Sequence, residues 1–262
     1  MSFLSLPIKQ YEKAHNLYNK EKFFFPLIGV VLSCEQDGVV YVDNPYDPTA
    51  VYVEHSFGFA QLFGEKVPSF EKALEQYLLH DRSFSPAKVR FYAPVVPEFL
   101  TAPELRSLQA ERQRLFPTAI PAALPLEAPS ADITITRINA TNVKIIHDNF
   151  GVVDRFWRSS EEFVHNSHAV LAFVKGEPAA LCYAAAIASN KAEIDSLTLS
   201  PFRGQGLGKL VMRHFIHHCR EHSLTPLTDV FTNNIASMAM CASVGYKAEQ
   251  PPYILFTIPK QP

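Results

Sequence analysis

Three glycines at alternate positions, Gly204, Gly206 and Gly208, lie between a segment that alternates like a strand and a segment that repeats like a helix. The strand-like segment ends before Pro201, whose nitrogen cannot donate a hydrogen bond to a neighbouring strand. Apolar residues then recur at helical spacing over residues 207–219. Because glycine has no Cβ, the backbone of such a loop can approach a bulky anion at the positive end of the following helix. The segment therefore predicts a phosphate-binding loop.

Spacing distinguishes three kinds of phosphate loop. The nucleoside triphosphate loop needs four residues between its first glycine and Gly-Lys, followed by Ser or Thr. Here three residues separate Gly204 from Gly208, and a leucine follows Lys209. A dinucleotide fingerprint needs its third glycine three residues after the second, inside a βαβ unit. What remains is the pattern Arg203-x-x-Gly206-x-Gly208 after an apolar strand, which resembles the pyrophosphate loop of the GNAT superfamily of N-acetyltransferases, users of acetyl-CoA.

A second motif supports this resemblance. The residues Asn234-x-x-Ser237-x-x-x-Cys241-x-x-x-Gly245-Tyr246 run through an apolar, helix-like segment into a glycine and an aromatic strand start. The pattern is similar to the closing helix of GNAT proteins, which usually carries a tyrosine where Cys241 stands. A short strand is expected between the two motifs, so the order of the elements is that of the superfamily.

A run of prolines marks the expected domain boundary. Prolines recur at every fourth position from 117 to 129, a spacing that forbids helix and favours an extended connector. We therefore expect an N-terminal α+β domain at 1–116, a linker at 117–131 and a GNAT domain at 132–262. The resemblance implies an α+β fold class for the GNAT domain. Its mixed central sheet is expected to be splayed into a V between the fourth and fifth strands and to be flanked by helices.

Hydrophobic periodicity predicts helices and strands in both halves. The first half is expected to contain strands at 23–32, 39–42, 50–53 and 89–92 and helices at 70–79 and 103–116. The second half is expected to contain strands at 133–138, 168–174, 178–186, 192–199 and 226–231 and helices at 142–157, 160–165 and 207–219. Segments 40–44, 50–53 and 57–64 look like the front domain of bacterial GNAT proteins related to zwittermicin-type antibiotic resistance acetyltransferases. Two copies of an acetyltransferase fold are conceivable, but the first half has no second glycine loop.

Composition excludes several classes of protein. With 262 residues, 47% of them hydrophobic, the chain is large enough for two packed domains. Its 24 basic and 26 acidic residues give no general attraction to nucleic acid or to an anionic membrane. No apolar run approaches the roughly 20 residues of a membrane-spanning helix. Four cysteines form no Cys-x-x-Cys pair and the N-terminus lacks a signal-peptide pattern, so we expect a cytoplasmic protein and allow for a homodimer. The resemblance adds a bacterial source.

Amine acetylation needs a base, because a free alkylamine has a pKa near about 10 and attacks a thioester only after losing a proton. Glu193 and Asp195 are two positions apart on a predicted strand, and so on one face, just before the expected position of the thioester. Either carboxylate could take the proton directly or through a water. The alternative is a solvated strand start or a salt bridge to Lys191.

The resemblance also implies a set of cofactor-binding residues. A backbone donor to the thioester carbonyl is expected near Leu197, Thr198 and Leu199, pyrophosphate contacts from Arg203, Gly204, Gln205, Gly206, Leu207, Gly208 and Lys209, and a pantetheine contact from the side chain of Asn234.

Cys241 stands where GNAT enzymes usually carry the acid that protonates the leaving thiolate. A thiol with a pKa of about 8.5 could donate a proton, but the departing thiolate has a similar pKa and can leave unaided. Cysteine is also a common small buried residue, and we favour that structural role. Acid catalysis could instead come from Tyr183 or Tyr246, or be absent.

Four histidines, His214, His217, His218 and His222, recur at helical spacing and could gather imidazoles for a metal ion. The expected chemistry needs no metal, and no cysteine or carboxylate completes the cluster. We therefore expect a solvated outer helix face and no metal.

Together these features predict an N-acetyltransferase that moves an acetyl group from acetyl-CoA to a primary amine of a small molecule. An antibiotic-like compound, an amino sugar, a polyamine and a protein N-terminus all present an amine, and the overall charge selects none of them. Two alternatives without catalysis remain. One is an acyl-CoA-binding sensor, which the missing tyrosine permits, and the other is a module that docks a partner through the N-terminal domain.

Overall fold

The computed structural model describes residues 3–118 and 130–261. These residues divide into a first unit, Met1–Arg112 with Pro252–Pro262, and a second unit, Gln113–Pro251. The predicted linker lies mostly on residues 119–129, outside the described residues. The expected second domain is wrong at its C-terminal end, because the last strand of the chain pairs within the first unit. Within the described residues, no helix combines the length and the apolar character that crossing a membrane requires.

The described residues form thirteen strands and eight α-helices. The first half contains β1 (Leu4–Ser5), α1 (Tyr11–Tyr18), α2 (Pro26–Leu32), β2 (Gly38–Val42), β3 (Ala50–His55), β4 (Phe59–Gly64), α3 (Pro68–Glu75), β5 (Lys88–Ala93) and β6 (Gln109–Pro117). The second half contains β7 (Ile133–Arg137), α4 (Val143–Phe150), α5 (Val153–Phe156), α6 (Ser160–Asn166), β8 (Val170–Val174), β9 (Glu177–Ala188), β10 (Lys191–Thr198), α7 (Leu207–Glu221), β11 (Thr225–Phe231), α8 (Ile235–Ser243), β12 (Tyr246–Ala248) and β13 (Tyr253–Pro259). A π-helical segment, Gln76–Asp81, extends α3, and a 3-10 segment, Pro103–Leu108, precedes β6.

Both units follow the same path through their sheets. In the first unit β1, β2, β3 and β4 are antiparallel neighbours, and β4 is parallel to β5, to which α3 connects it. In the second unit β7, β8, β9 and β10 are antiparallel neighbours, and β10 is parallel to β11, to which α7 connects it. The strand beside β5 is β13, and the strand beside β11 is β6. The chain therefore contains two copies of one α+β topology, with a mixed sheet in each.

Within the part of the chain that the structure describes, only the second copy carries an open glycine loop. The matching turn of the first copy follows Gly64, whose φ is 92°. A Cβ there would meet the backbone oxygen of Thr49 at 2.1 Å, so this glycine serves close packing of the backbone. The prediction that the first half has no second glycine loop stands, although its strand order repeats.

Two predicted elements of the first half are wrong. Residues 23–32 were expected to be a strand, but α2 begins at Pro26 and all seven of its residues are buried. A short, wholly apolar run does not separate strand from helix by periodicity, and proline at the first helical position favours the helix. Residues 103–116 were expected to be a helix, but β6 begins at Gln109. Its pairing with β13 and β12 outweighs the local helical preference.

Two adjacent residues of β3 bury ionisable groups in the first unit. Glu54 is 3% exposed and accepts hydrogen bonds from the hydroxyls of Tyr52 at 2.8 Å and Tyr77 at 3.2 Å. Burial raises the pKa of Glu54 to about 7. His55 is fully buried, with Nε2 lying 2.7 Å from the side-chain oxygen of Gln36. Burial lowers the pKa of His55 to about 4.

Because the two pKa values shift in opposite directions, their effects on the pH dependence of stability should oppose each other in the wild type. Glu54 stays protonated in the folded state up to about pH 7, whereas in the unfolded chain it loses its proton above pH 4.5. Its contribution to stability therefore declines as pH rises from 4.5 to about 7. His55 stays neutral in the folded state down to about pH 4, whereas in the unfolded chain it takes up a proton below pH 6.5. Its contribution to stability therefore declines as pH falls from 6.5 to about 4. Between pH 4.5 and 6.5 the two effects cancel. Glu54→Gln removes the contribution of Glu54 and leaves that of His55. For each pH unit of acidification, the free energy of unfolding of this variant should therefore fall by up to about 1.4 kcal/mol more than that of the wild type. Urea denaturation at pH 5.0 and 6.5 measures this, and equal slopes would contradict it.

Candidate active site

The central strands of the second unit separate from one another part-way along their length. Strand β10 pairs with β9 along its whole length, from Lys191 to Thr198. Its parallel pairing with β11 covers only Lys191, Ala192 and Glu193. A bulge in β9 lies at the same level, where Glu193 and Ile194 are paired two residues apart on β9. Beyond Glu193 the edge of β10 that faces β11 is therefore open, and the predicted mixed, splayed sheet is confirmed.

A buried ion pair fixes β11 on the far side of this opening. Asp229 lies two residues beyond Leu227, which is the last β11 residue paired with β10. Its carboxylate accepts from the Arg114 Nε at 3.1 Å and forms a second, shorter contact with Arg114 Nη2. Both side chains are 2% exposed. The pair therefore holds β11 against β6 just past the point at which β11 leaves β10.

Arg114→Met should leave the Asp229 charge buried and without this partner. We expect the second unit to lose about 3–5 kcal/mol of unfolding free energy, because breaking a buried pair costs far more than breaking an exposed one. The double variant Arg114→Met with Asp229→Leu should recover most of that loss. Urea denaturation of the wild type, both single variants and the double variant measures the coupling. A loss below about 1 kcal/mol for Arg114→Met would contradict the assigned role.

The glycine loop lies between the end of β10 and the start of α7. Gly204 and Gly206 have φ values of 78° and 77°, in the left-handed region, and Gly206 is the N-cap of α7. A Cβ added to either would have nothing within 4 Å. Open space therefore lies directly over the loop. The first N–H groups of α7 have no acceptor within the helix, so this space is also the positive end of a 15-residue helix.

A cavity of about 610 Å³ adjoins the loop. Two cations, Arg203 and Lys209, and no carboxylate are among its lining residues, a charge balance suited to a polyphosphate. Of the predicted cofactor residues, the cavity is lined by Thr198, Arg203, Gly204, Gly206, Leu207, Gly208 and Lys209. It is also lined by Ser196, Phe202, Ala236, Ser237, Ala239, Met240 and Ser243.

Four predicted cofactor residues are not among the lining residues. The N–H of Leu199 donates to the carbonyl of Ala179 at 2.9 Å, so it is committed to the sheet. Gln205 donates its side-chain amide to the carbonyl of Pro201 at 3.3 Å. Asn234 caps α8, and its Oδ1 accepts from the N–H of Ser237 at 3.1 Å. Leu197, the fourth, is partly buried on β10. The structure thus brings the glycine loop and Thr198 to the cavity.

Glu193 and Asp195 project from the face of β10 opposite Ser196 and Thr198, because side chains alternate along a strand. Asp195 Oδ2 accepts from the hydroxyl of Tyr183 at 2.6 Å and lies 3.3 Å from Arg155 Nη1. The Asp195 side chain is 32% exposed, whereas Glu193 is 6% exposed. Sequence reasoning missed Arg155, because no local pattern indicates that α5 reaches this strand.

The three candidate acids are all buried. Cys241 is 1% exposed within the core of the second unit, and burial raises its pKa to about 11. It is not among the lining residues of the cavity, although neighbouring residues of α8 are. Tyr246 donates its hydroxyl to the carbonyl of Pro226 at 3.1 Å. Burial raises the pKa of Tyr183 well above its usual value, so this tyrosine remains a neutral hydrogen-bond donor to Asp195.

The four helix histidines do not share one solvated face, and that expectation is wrong. His217 is exposed and His214 is half-buried, but His218 is 8% exposed. His218 is on the part of α7 that packs against the sheet, where a fifth histidine, His168, meets it with a nitrogen–nitrogen distance of 3.1 Å. The helical spacing gave no signal for His168, which lies two positions before the start of β8.

A family model described as GNAT acetyltransferase matches residues 106–256. The chain belongs to the GNAT acetyltransferase family. A curated relative, the uncharacterized N-acetyltransferase YdfB of Bacillus subtilis, is 28% identical over 99 residues. That alignment covers 38% of this chain and 38% of the relative, so the chain matches well under two thirds of it. Family membership supports acyl transfer as the class of reaction.

Solved structures of GNAT proteins share the fold over nearly the whole chain. A GCN5-related N-acetyltransferase-like protein from Streptococcus suis is 16% identical with a TM-score of 0.68, covering 95% of this GNAT chain and 98% of that protein. A tandem GNAT protein from the clavulanic acid biosynthesis pathway is 12% identical with a TM-score of 0.68, covering 99% and 98%. A GCN5-related N-acetyltransferase from Sphaerobacter thermophilus is 15% identical with a TM-score of 0.60, covering 99% and 96%.

Proposed function

We propose that this GNAT protein is an acyl-CoA-dependent N-acetyltransferase that acetylates a primary amine of a small molecule. The observation that carries the proposal is the opening between β10 and β11. On one face of β10 lies the cavity with the glycine loop, and on the other face lies Asp195. The opening beyond Glu193 connects the two faces, so a donor and an acceptor can meet there from opposite sides of the sheet.

The residues of the loop fit acetyl-CoA. Gly204 and Gly206 leave space for a bulky anion, the first turn of α7 offers N–H groups, and Arg203 and Lys209 supply two positive charges. These groups would hold the pyrophosphate, and Thr198 and Ser237 would line the path of the pantetheine arm. Acetyl-CoA supplies the electrophilic thioester carbonyl. The chain itself has to orient the amine, remove its proton and exclude competing water.

Asp195 is the residue best placed to receive the amine proton. Its hydrogen bonds from Tyr183 and Arg155 both end on Oδ2, so neither of these partners occupies Oδ1. Tyr183 and Arg155 would hold the carboxylate in position. Glu193, at the last paired position and almost fully buried, would act on the same face at a greater distance from the acceptor, so it remains the second candidate base.

No protein acid is needed in this proposal. Cys241 occupies the position of the usual tyrosine, yet its burial in the core supports a structural role. A thiolate leaving group with a pKa near about 8.5 can depart without protonation. The alternative function, an acyl-CoA sensor without turnover, rests on this same missing tyrosine. Incubation with labelled acetyl-CoA and a panel of antibiotic-like amines, amino sugars and polyamines separates the two, since only an enzyme forms acetylated product.

None of the four cysteines forms a disulfide; three are buried and Cys34 is exposed, which supports the proposed cytoplasmic location.

Gly206→Asp tests the cofactor loop, with Gly206→Asn as its matched control. Both side chains tolerate a positive φ better than most and both enter the open space, but only aspartate adds a charge. Acetyl-CoA should raise the melting temperature of the wild type and of Gly206→Asn. The aspartate variant should bind at least tenfold more weakly, because like charges about 4 Å apart cost about 4 kcal/mol at an effective dielectric constant near 20. An equal thermal shift in all three proteins would show that the phosphates bind elsewhere.

Asp195→Asn tests the base. Turnover should fall about 100-fold or more, since general bases contribute about 10²–10⁴, while the thermal shift by acetyl-CoA stays near that of the wild type. Glu193→Gln should have the smaller effect on turnover. Steady-state rates over pH 6–10 measure both variants. A larger loss in Glu193→Gln would transfer the role of base to Glu193, and an unchanged rate in both would place the base outside this pair.

A further inference from the structure

Three histidine side chains converge at the C-terminal end of α7, far from the glycine loop at its start. One ring nitrogen of each of His168, His218 and His222 lies within 4.8 Å of the others. The rings are close neighbours, with centroids 5.0 Å apart for His168 and His218 and 4.3 Å apart for His218 and His222. His168 lies two positions before β8, His218 lies in the last turn of α7, and His222 is the C-cap residue of α7. We refer to these three residues as the histidine cluster.

Hydrogen bonds on the outer side of two rings determine which nitrogens carry a lone pair. His222 Nδ1 lies 3.0 Å from the carbonyl oxygen of His218, which can only accept, so Nδ1 holds the proton and Nε2 is the acceptor nitrogen. His218 Nδ1 lies 3.3 Å from Glu221 Oε2 and holds a proton for the same reason. The lone pair of His218 is therefore on Nε2, the atom that faces His168.

The geometry between His168 and His218 is that of two ligands of one metal ion. Their facing nitrogens, His168 Nδ1 and His218 Nε2, are 3.1 Å apart. Two nitrogens bound to tetrahedral Zn²⁺ at about 2.0–2.1 Å lie roughly 3.3 Å apart. Without a metal, the protonated Nδ1 of His168 donates a hydrogen bond to His218 Nε2. With a metal, that proton is held on His168 Nε2 instead, which changes the tautomer and leaves the charge unchanged.

A charged residue orients the cluster from behind. Glu221 accepts from His218 Nδ1, and Arg137 Nη2 in turn holds Glu221 Oε2 at 2.6 Å. A carboxylate behind a ligand imidazole fixes the ring and raises its basicity, as is usual for zinc ligands. His222 is exposed, so its ring can close the remaining distance and a water can complete the coordination.

We propose that the histidine cluster is a binding site for a divalent transition metal, with Zn²⁺ bound by His168, His218, His222 and one water. Three imidazoles suit zinc, nickel and copper and do not suit magnesium or calcium. The site is about 20 Å from the glycine loop along α7, given a rise of 1.5 Å per residue, so the metal would tie α7 to the start of β8 and would not touch the acyl group. The site is independent of the proposed reaction.

The test uses the full chain after chelator treatment, titrated with Zn²⁺ by calorimetry and with Co²⁺ by visible absorption. We expect one equivalent to bind, with cobalt bands typical of four or five ligands, and Zn²⁺ but not Mg²⁺ to raise the melting temperature. His168→Asn should abolish this binding, and asparagine suits the left-handed backbone at that position, where φ is 50°. His222→Asn should weaken it at least about tenfold, and Glu221→Gln about 10- to 100-fold.

His165→Asn is the matched control, because His165 is exposed on α6 and is not one of the cluster. It should bind Zn²⁺ as the wild type does. Circular dichroism of each variant checks that it is folded, and Glu221→Gln keeps all three ligands if His168→Asn proves unstable. The proposal is overturned if the wild type binds no Zn²⁺ or Co²⁺. It is also overturned if the folded His168→Asn variant, or failing that Glu221→Gln, binds with wild-type stoichiometry and affinity.

Discussion

The short parallel pairing of β10 with β11 is the constraint on which the rest of the site depends. Three paired residues join the strands, and the strands then part, so the sheet has an opening in its middle. Such an opening exposes backbone groups that would otherwise be paired, and it persists because each strand is held from its outer side. Strand β10 is held by β9 along its length, and β11 is held by β6 through Arg114 and Asp229.

Local chemistry made the glycine loop predictable. The loop needs residues without a Cβ at fixed spacing before a helix, and ten consecutive residues of the sequence are enough to show this pattern. The strands around it were predictable for a similar reason, since each has alternating apolar and polar residues or is flanked by a recognisable turn sequence. By contrast, α2 and β6 were decided by what surrounds them. An apolar run such as α2 fits either element, and β6 becomes a strand only because β12 and β13 lie beside it.

The chemistry of the site divides in the same way. The carboxylates of Glu193 and Asp195 could be placed on one face from their spacing alone. Their surroundings could not, because Arg155 and Tyr183 approach Asp195 from 40 and 12 positions away in the sequence. The histidines show the same limit. Their helical spacing indicated one face, but the packing of α7 turned His218 inward and brought His168 to it across 50 positions.

The position of β13 has a consequence for the synthesis of this protein. Most of the first unit is translated first, yet the strand that lies between β5 and β6 is translated only after the second unit. At about 5–20 residues per second, the intervening residues take roughly 7 to 28 seconds to make. During that interval the nascent chain carries an unpaired β5 edge, a form prone to join other chains. A stop codon at position 252 would leave the residues of the second unit intact and would remove β13, which pairs with β5 and β6 in the first unit.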